Sequence, residues 1–284
     1  MKDQLCLLQK NGYPIPQLGM GTYMIDDHQQ CKEAVLAALK CGYRHIDTAQ
    51  IYKNEAAVGD ALAESGISRE EVFLTTKLWV TQFSDDKARA AIDGSLKKLK
   101  TDYIDLMLIH RPYGDYMPGW RALEEAVDAG KIRSIGISNF DEKQTAALLR
   151  QARIKPVVNQ IECHPYYQQN RLRQYLQENG ILVGAWYPLG HGDRKLLQDP
   201  VLVALAEKYG KSTAQIILRW HIQTGNIVVP KSTKEQHLRD NWDIFDFSLT
   251  EDDMAQIAGL DRNTSYFTTP LWLDELMAKL FSRI

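Results

Sequence analysis

Along most of this chain, short apolar runs alternate with longer stretches whose apolar positions recur at helical spacing. The first kind reads as strands buried on both faces, the second as amphipathic helices. The opening differs. Residues 5–8 and 13–16 are short strand-like pieces around Lys10-Asn11-Gly12, and Asn-Gly is a strong hairpin signal. Gly19 to Tyr23 then reads as a first strand ending at Thr22 and Tyr23. Cys31, Ala34, Val35, Ala38 and Leu39 mark a helix over 29–41 that stops at Gly42. A strand over 43–46 runs into Asp47, and a helix over about 54–63 follows. The next strand, 72–77, ends at Lys77 and leads to a helix over 85–99. A fourth, 103–109, runs into His110.

The alternation continues to the end of the chain. A helix is expected over 119–129, a strand over 132–137 ending at Ser138-Asn139-Phe140, and a helix over 141–151. A strand over 157–161 ends at Glu162-Cys163-His164, with a helix near 169–178. A strand over 181–185 ends at Trp186-Tyr187-Pro188, and helices cover 199–209 and 212–223. The last strand, 227–229, ends at Pro230-Lys231-Ser232, and a helix begins near Lys234. Eight strand–helix units predict a closed parallel (β/α)8 TIM barrel with an N-terminal β-hairpin. No linker or low-complexity segment interrupts the chain, so residues 1–284 are expected to form one domain. The tail, 264–284, carries Leu271, Trp272, Leu276, Leu280 and Phe281. Packing on the barrel is favoured for it over serving a partner.

Composition narrows the functional classes. A net charge of −2 argues against a general nucleic-acid binder. No apolar run approaches the roughly 20 residues of a membrane span, and no leader opens the chain. Cys6, Cys31, Cys41 and Cys163 lack metal-ligand spacing, so thiols and no metal are expected. A cytoplasmic protein is the expectation.

The chemistry lies where three successive strands end, at Asp47, Lys77 and His110, with Tyr52 just beyond the first. In such barrels the carboxyl ends of the strands carry the active site. Each residue alone has a bland reading: a turn-capping Asp, a solvated Lys, a structural His. Together they suit protonation of a carbonyl oxygen while another group attacks the carbon. Tyrosine is a weak acid with a reference pKa of about 10. The Lys77 ammonium is expected to lower that value, with Asp47 holding the lysine and His110 bonding the substrate oxygen. The chain has no GxGxxG and no P-loop. A phosphate is instead expected at Lys231-Ser232-Thr233, where a helix start favours anions. The bland reading of Lys231 is a solvated residue.

Five blocks, GYRHIDTAQIYKNEAAVG, SLKKLKTDYIDLMLIHRP, GKIRSIGISNF, NQIECHPYYQQ and VVPKST, carry a resemblance to the aldo-keto reductases over nearly the whole length. Within that family the chain is most similar to the bacterial 2,5-diketo-gluconate reductases and the prostaglandin F synthase-like group. The resemblance implies reduction of aldehydes or ketones by hydride from NADPH, with NADH as a weaker alternative. It makes Tyr52 the proton donor, assisted by Asp47, Lys77 and His110. It implies that Ser138, Asn139 and Gln160 bind the nicotinamide amide and that Trp186 stacks on the ring. Lys231, Ser232 and Thr233 would hold the 2′-phosphate, with Asn241 near the adenine. Thr22, Asp47, Leu189 and His237 complete the implied cofactor set. Tyr23, Trp79 and His110 would line the substrate pocket, the tail beyond Tyr266 would close it over the barrel mouth, and a monomer is implied.

Two positions depart from the pattern. A small residue is implied after the stacking aromatic, where this chain has Tyr187. An arginine is implied six residues after Lys231, where it has His237, with Arg239 two residues on. Both bear on strict NADPH preference and leave the reaction class untouched. Two rival readings stand beside the reductase: a Schiff-base enzyme using Lys77 as nucleophile, and a cofactor-binding subunit without turnover. Arg111, directly after His110, faces either the pocket or solvent, and solvent is favoured.

Overall fold

Asn11 and Gly12 turn the chain as the sequence predicts. Gly12 adopts a φ of 88°, and its N–H donates to the Gln9 carbonyl at 2.9 Å. The turn joins β1 (Cys6–Leu8) to β2 (Pro14–Pro16) in antiparallel register, with Leu7 opposite Ile15. This computed structural model describes residues 6–9, 11–267, 273, 275, 276 and 280. Lys10 of the turn, and Leu271, Trp272 and Phe281 of the expected pocket-closing tail, lie outside the described residues.

The barrel follows in chain order. β3 (Met20–Gly21), α1 (His28–Cys41), β4 (His45–Asp47), α2 (Glu55–Glu64), β5 (Phe73–Leu78) and α3 (Asp85–Leu99) make the first part. β6 (Ile104–Ile109), α4 (Met117–Asp128), β7 (Ile132–Ser138), α5 (Glu142–Gln151), β8 (Val158–Glu162) and α6 (Asn170–Glu178) continue it. β9 (Leu182–Trp186), α7 (Arg194–Leu197), α8 (Pro200–Tyr209), α9 (Thr213–Gln223), β10 (Ile227–Val228), α10 (Glu235–Trp242) and α11 (Glu251–Ala258) complete it. β3 to β10 pair in parallel with their neighbours in chain order. The outer strands then meet. Leu18 bridges Val228, Gly19 N–H donates to the Val228 carbonyl at 2.8 Å, and Gly21 N–H donates to the Pro230 carbonyl at 3.1 Å. The sheet therefore closes, and closure removes its unpaired edges.

Pleating sorts the side chains into two layers. On β6, Leu106 and Leu108 point inward with Phe73, Val158 and Ile227, while Met107 and Ile109 join the helix layer. Ile15 of the hairpin belongs to the inner cluster, so β2 plugs the amino end of the barrel. His45 ties the plug in place through hydrogen bonds with the Pro16 carbonyl (3.1 Å) and Thr75 Oγ1 (3.0 Å).

Most predicted elements appear with bounds moved by a residue or two. Two short helices, α7 and α11, were not expected. α11 is nucleated by a capping box of Thr250 and Asp253, and Ile257 is its one fully buried apolar residue. Its apolar stripe is too thin to read as a periodicity. No helix among the described residues is long and apolar enough to cross a membrane.

The packing of α2 on α3 gives a paired stability test. A Cβ at Gly59 would lie 2.9 Å from Leu99 Cα and closer still to the Lys98 carbonyl, whereas one at Gly94 meets nothing within 4 Å. Gly59→Ala should cost about 1–3 kcal/mol through overpacking. Gly94→Ala should gain about 0.5–1 kcal/mol through helix propensity. Thermal melts of the two variants should move in opposite directions, and equal shifts would contradict this packing.

Candidate active site

The pleat that fills the barrel also aims its functional groups. His45 and Asp47 share the inner face of β4, Thr75 and Lys77 that of β5, and Leu106, Leu108 and His110 follow the same alternation on β6. Lys77 Nζ donates to Asp47 Oδ1 at 2.5 Å and to the Thr48 carbonyl at 2.9 Å. From across the barrel, Gln160 Nε2 donates to Asp47 Oδ2 at 2.8 Å. Asp47 is 3% exposed and Lys77 is 1% exposed, so each charge depends on the other for compensation.

Tyr52 lies on a single 3-10 turn, Gln50–Tyr52, that follows β4 and ends at Lys53 in the left-handed region. Its Oη is 3.5 Å from Lys77 Nζ. Its ring is 5.0 Å from the Tyr23 ring and 5.7 Å, edge to face, from His110. Trp79 packs edge to face on His110 at 5.0 Å. Gln50 sets the Trp79 backbone: its Oε1 accepts from Trp79 N–H at 3.1 Å, and its amide donates to Ala91 and Ser95.

Burial dominates the protonation of both Tyr52 and His110. It raises the Tyr52 phenol well above its ordinary value, and the Asp47 charge adds to that direction. The expectation that Lys77 lowers this phenol is thus not met. The Lys77–Asp47 pair is close to neutral as a unit, so it does not offset desolvation. Burial also lowers His110 well below the usual imidazole value, with the charges of Lys77 and Arg111 acting in the same direction. The imidazole is therefore neutral. Its Nδ1 is buried without a partner. A proton on Nε2 leaves only an acceptor unpaired there and gives the cavity a donor.

A second group of side chains sits beside this one, on β7, β8 and β9. Ser138 Oγ donates to the Gln160 carbonyl at 2.9 Å. Asn139, at a φ of 66°, donates to the His110 carbonyl (3.1 Å) and to Ser138 Oγ (2.9 Å). Its Oδ1 accepts from Trp186 Nε1 at 2.9 Å, which fixes the indole plane. One cavity of about 510 Å³ joins both groups. It runs from Tyr23, Tyr52, Trp79 and His110 past Asn139, Gln160 and Trp186 to Pro230 and Lys231.

The sequence pattern of the Aldo/keto reductase family matches residues 17–262. This chain belongs to the aldo/keto reductase family. It is 46% identical over 278 residues to the glyoxal reductase of Bacillus subtilis, covering 98% of each chain. It is 42% identical to a 9,11-endoperoxide prostaglandin H2 reductase of Trypanosoma cruzi, covering 91% of this chain and 92% of that one. Among solved structures, an aldo/keto reductase from Brucella melitensis superposes with a TM-score of 0.88 at 47% identity, over 91% of this chain and all of that one. A Bombyx mori aldo-keto reductase in complex with NADP gives a TM-score of 0.90 at 38% identity, over 95% and 97% of the two chains.

Several expected site residues of this aldo/keto reductase stand away from the cavity wall. Thr22 is fully buried, and its hydroxyl is engaged by the Asp47 carbonyl and Asn54. Ser232 Oγ closes a turn with Lys234, Thr233 is half-buried, His237 is exposed, and Asn241 is buried on α10. Arg239 pairs with Glu235 on the same helix. Leu189 does line the cavity, and so do His191, Tyr187 and Phe267. Arg111 lines it too, against the preference for solvent. Phe267 lies in the stretch expected to close the pocket but was not itself singled out. It reaches the site because its segment is anchored by the Tyr266 N–H on Glu162 (2.8 Å) and the Tyr266 hydroxyl on Asp193 (2.7 Å).

The Asp47–Lys77 pair yields a double-mutant test. Lys77→Met leaves the Asp47 carboxylate buried without its cation and should cost about 3–5 kcal/mol in urea unfolding. Adding Asp47→Asn removes the stranded charge and should recover most of that loss. Equal destabilisation of the single and double variants would show that packing, not charge, sets the cost.

Proposed function

We propose that this chain reduces aldehydes or ketones to alcohols with NADPH, and that Tyr52 donates the proton. The observation that carries this reading is the Tyr52 phenol, kept protonated by burial, 3.5 Å from the Lys77 ammonium and beside a neutral His110. The names of its relatives, a glyoxal reductase and an NADP-bound aldo-keto reductase among them, point the same way. The reading takes the chain as one domain and a cytoplasmic monomer, with the tail beyond residue 264 closing the pocket.

The donor set fits the cofactor. Amide and hydroxyl groups of Ser138, Asn139 and Gln160 gather beside the planar Trp186, and the cavity ends at the exposed cation Lys231. These would hold, in order, the nicotinamide amide, its ring and the 2′-phosphate, the last with Ser232 and Thr233. Bound there, NADPH supplies the hydride that reaches the carbonyl carbon. Asn241 would face the adenine, and Leu189 would wall the middle of the cavity. Thr22 and Asp47 act from beneath, as supports.

In this reading His110 Nε2–H holds the carbonyl oxygen, and Tyr52 gives that oxygen its proton as negative charge develops there. The Lys77 ammonium, fixed by Asp47, then stabilises the phenolate left behind. A Schiff base at Lys77 is disfavoured because Nζ is buried and bound to Asp47 and Thr48. An assembled acid of this kind also speaks against a subunit without turnover.

Tyr52→Phe should lower kcat by about 10²–10⁴, the usual worth of general acid catalysis, with NADPH affinity within a few-fold. More than a tenth of wild-type kcat on a good aldehyde would remove Tyr52 from this role. In the wild type, kcat/KM should stay flat as the pH falls through about 6.5, the reference value for imidazole, because burial keeps His110 neutral there. On the alkaline side burial raises the Tyr52 phenol and lowers the Lys77 ammonium, so a fall in kcat/KM should follow the loss of the Lys77 proton and not that of Tyr52.

NADPH should be preferred through Lys231, with measurable NADH turnover. The guanidinium fork that reads a phosphate is missing at His237, and Arg239 is engaged by Glu235. His237→Arg should raise the NADPH to NADH ratio of kcat/KM by about tenfold to a hundredfold, the worth of one charge-assisted hydrogen bond. No NADH turnover in the wild type, or an unchanged ratio in the variant, would refute this account.

A further inference from the structure

Gln50 opens the 3-10 turn whose next two residues, Ile51 and Tyr52, line the cavity. Its own amide bonds elsewhere. Nε2 donates to the Ala91 carbonyl (3.1 Å) and to Ser95 Oγ (3.0 Å), both on α3. Oε1 accepts from Trp79 N–H at 3.1 Å, just past the end of β5. Both amide hydrogens and one oxygen lone pair are thereby used.

The turn has little else to hold its first half. Its backbone supplies Tyr52 N–H to the Ala49 carbonyl (3.0 Å) and Lys53 N–H to the Gln50 carbonyl (3.2 Å), and no side chain caps its start. Hydrogen bonds of the 3-10 type have poorer geometry than those of an α-helix. The second half is fixed. Two residues past Tyr52, Asn54 Nδ2 donates to the Thr22 (2.8 Å) and Ile25 (3.2 Å) carbonyls, and its Oδ1 accepts from Thr48 Oγ1 at 2.7 Å. Tyr52 therefore stands between two anchoring amides, Gln50 before it and Asn54 after it. Trp79 depends on Gln50 as well, and its ring lies 5.0 Å from the His110 ring, so a shift of its backbone reaches the imidazole.

We propose that Gln50 is a positioning residue for the proton transfer: working from α3, it sets the Tyr52 phenol and, through Trp79, the His110 imidazole around the carbonyl oxygen. This rests on the reductase reading of the same site. A misplacement of about 1 Å in a reacting group can cost about a hundredfold in rate, so an anchor of this kind is felt in turnover.

The test uses Gln50→Leu, which keeps the bulk and removes the amide, and Ser95→Ala, which removes one anchor from outside the cavity. The carbonyl is whichever of glyoxal, propanal and 4-nitrobenzaldehyde the wild type reduces fastest. Gln50→Leu should lower kcat/KM by about tenfold to a hundredfold. NADPH affinity, read by quenching of tryptophan fluorescence, should stay within a few-fold. The solvent isotope effect on kcat/KM in D2O should rise above the wild-type value, because the displaced acid slows proton transfer in particular. Ser95→Ala should change the rate and the isotope effect in the same directions by less. A folded Gln50→Leu protein with wild-type kcat/KM overturns the inference, and so does a loss of rate with an unchanged isotope effect, which would make the amide a packing element only. Should Gln50→Leu fail to fold, Ser95→Ala decides: a wild-type rate and isotope effect there overturn the inference. In each of these cases the reductase reading stands. No NADPH oxidation by the wild type with any carbonyl overturns both.

Discussion

Two opposite charges share the inside of this barrel, and the rest of the site depends on how they are held. Asp47 and Lys77 are nearly sealed from water, so neither tolerates the loss of the other. Their contact requires β4 and β5 in the observed register, with Asp47 opposite Thr75 and Lys77 two residues further on. The second oxygen of Asp47 needs a donor, and Gln160 supplies it from β8 on the far side. A carboxylate satisfied from two sides of a sheet presupposes that the sheet is closed. The geometry of the site and barrel closure are thus one constraint here.

That same pairing sets the character of the acid. A lone ammonium near a phenol lowers its pKa, but an ammonium already neutralised at 2.5 Å exerts a much weaker net field. Desolvation then dominates, and Tyr52 remains loaded with its proton. In the proposed reaction the ammonium gains influence only when charge appears on the phenol oxygen, at the moment of transfer. A site organised this way favours the charge distribution of the transition state over that of the ground state. His110 fits the scheme, since burial beside Lys77 and Arg111 keeps it a neutral donor.

The fold and the clustering of side chains at the strand ends were legible in the sequence for the same reason. Strand alternation gave the barrel, and the rule that barrel strands present chemistry at their carboxyl ends singled out Asp47, Lys77 and His110. What failed to read were contacts made across large sequence separations. Thr22 sits at a strand end like the others, yet its hydroxyl is drawn under the site by Asp47 and Asn54. Phe267 is brought over Trp186 by hydrogen bonds that start at Glu162 and Asp193, a connection no local pattern records. The direction of Arg111 depends on a loop path, and the adjacency of residues 110 and 111 does not fix it. The sign of the Tyr52 shift was misread because the sequence does not show how deeply the phenol is buried, and burial dominates its shift.

The division between strands and loops has a functional consequence. Groups that would move protons in the proposed reaction stand on β4, β5 and β6, or one turn beyond, where pleating and register leave little freedom. Groups that would choose among substrates, namely Arg111, Tyr187, His191 and Phe267, stand on connections that the barrel does not dictate. Tyr187 shows the difference most directly. Its left-handed backbone costs of order 1–3 kcal/mol and persists only where surrounding contacts over-determine it. Here those contacts are rings from three separate segments: Tyr23 after β3, His191 after β9, and Phe267 in the tail. Replacing any of them changes the pocket roof without touching the Asp47–Lys77 pair. In the proposed reaction, substrate range can therefore drift while the proton chemistry stays fixed.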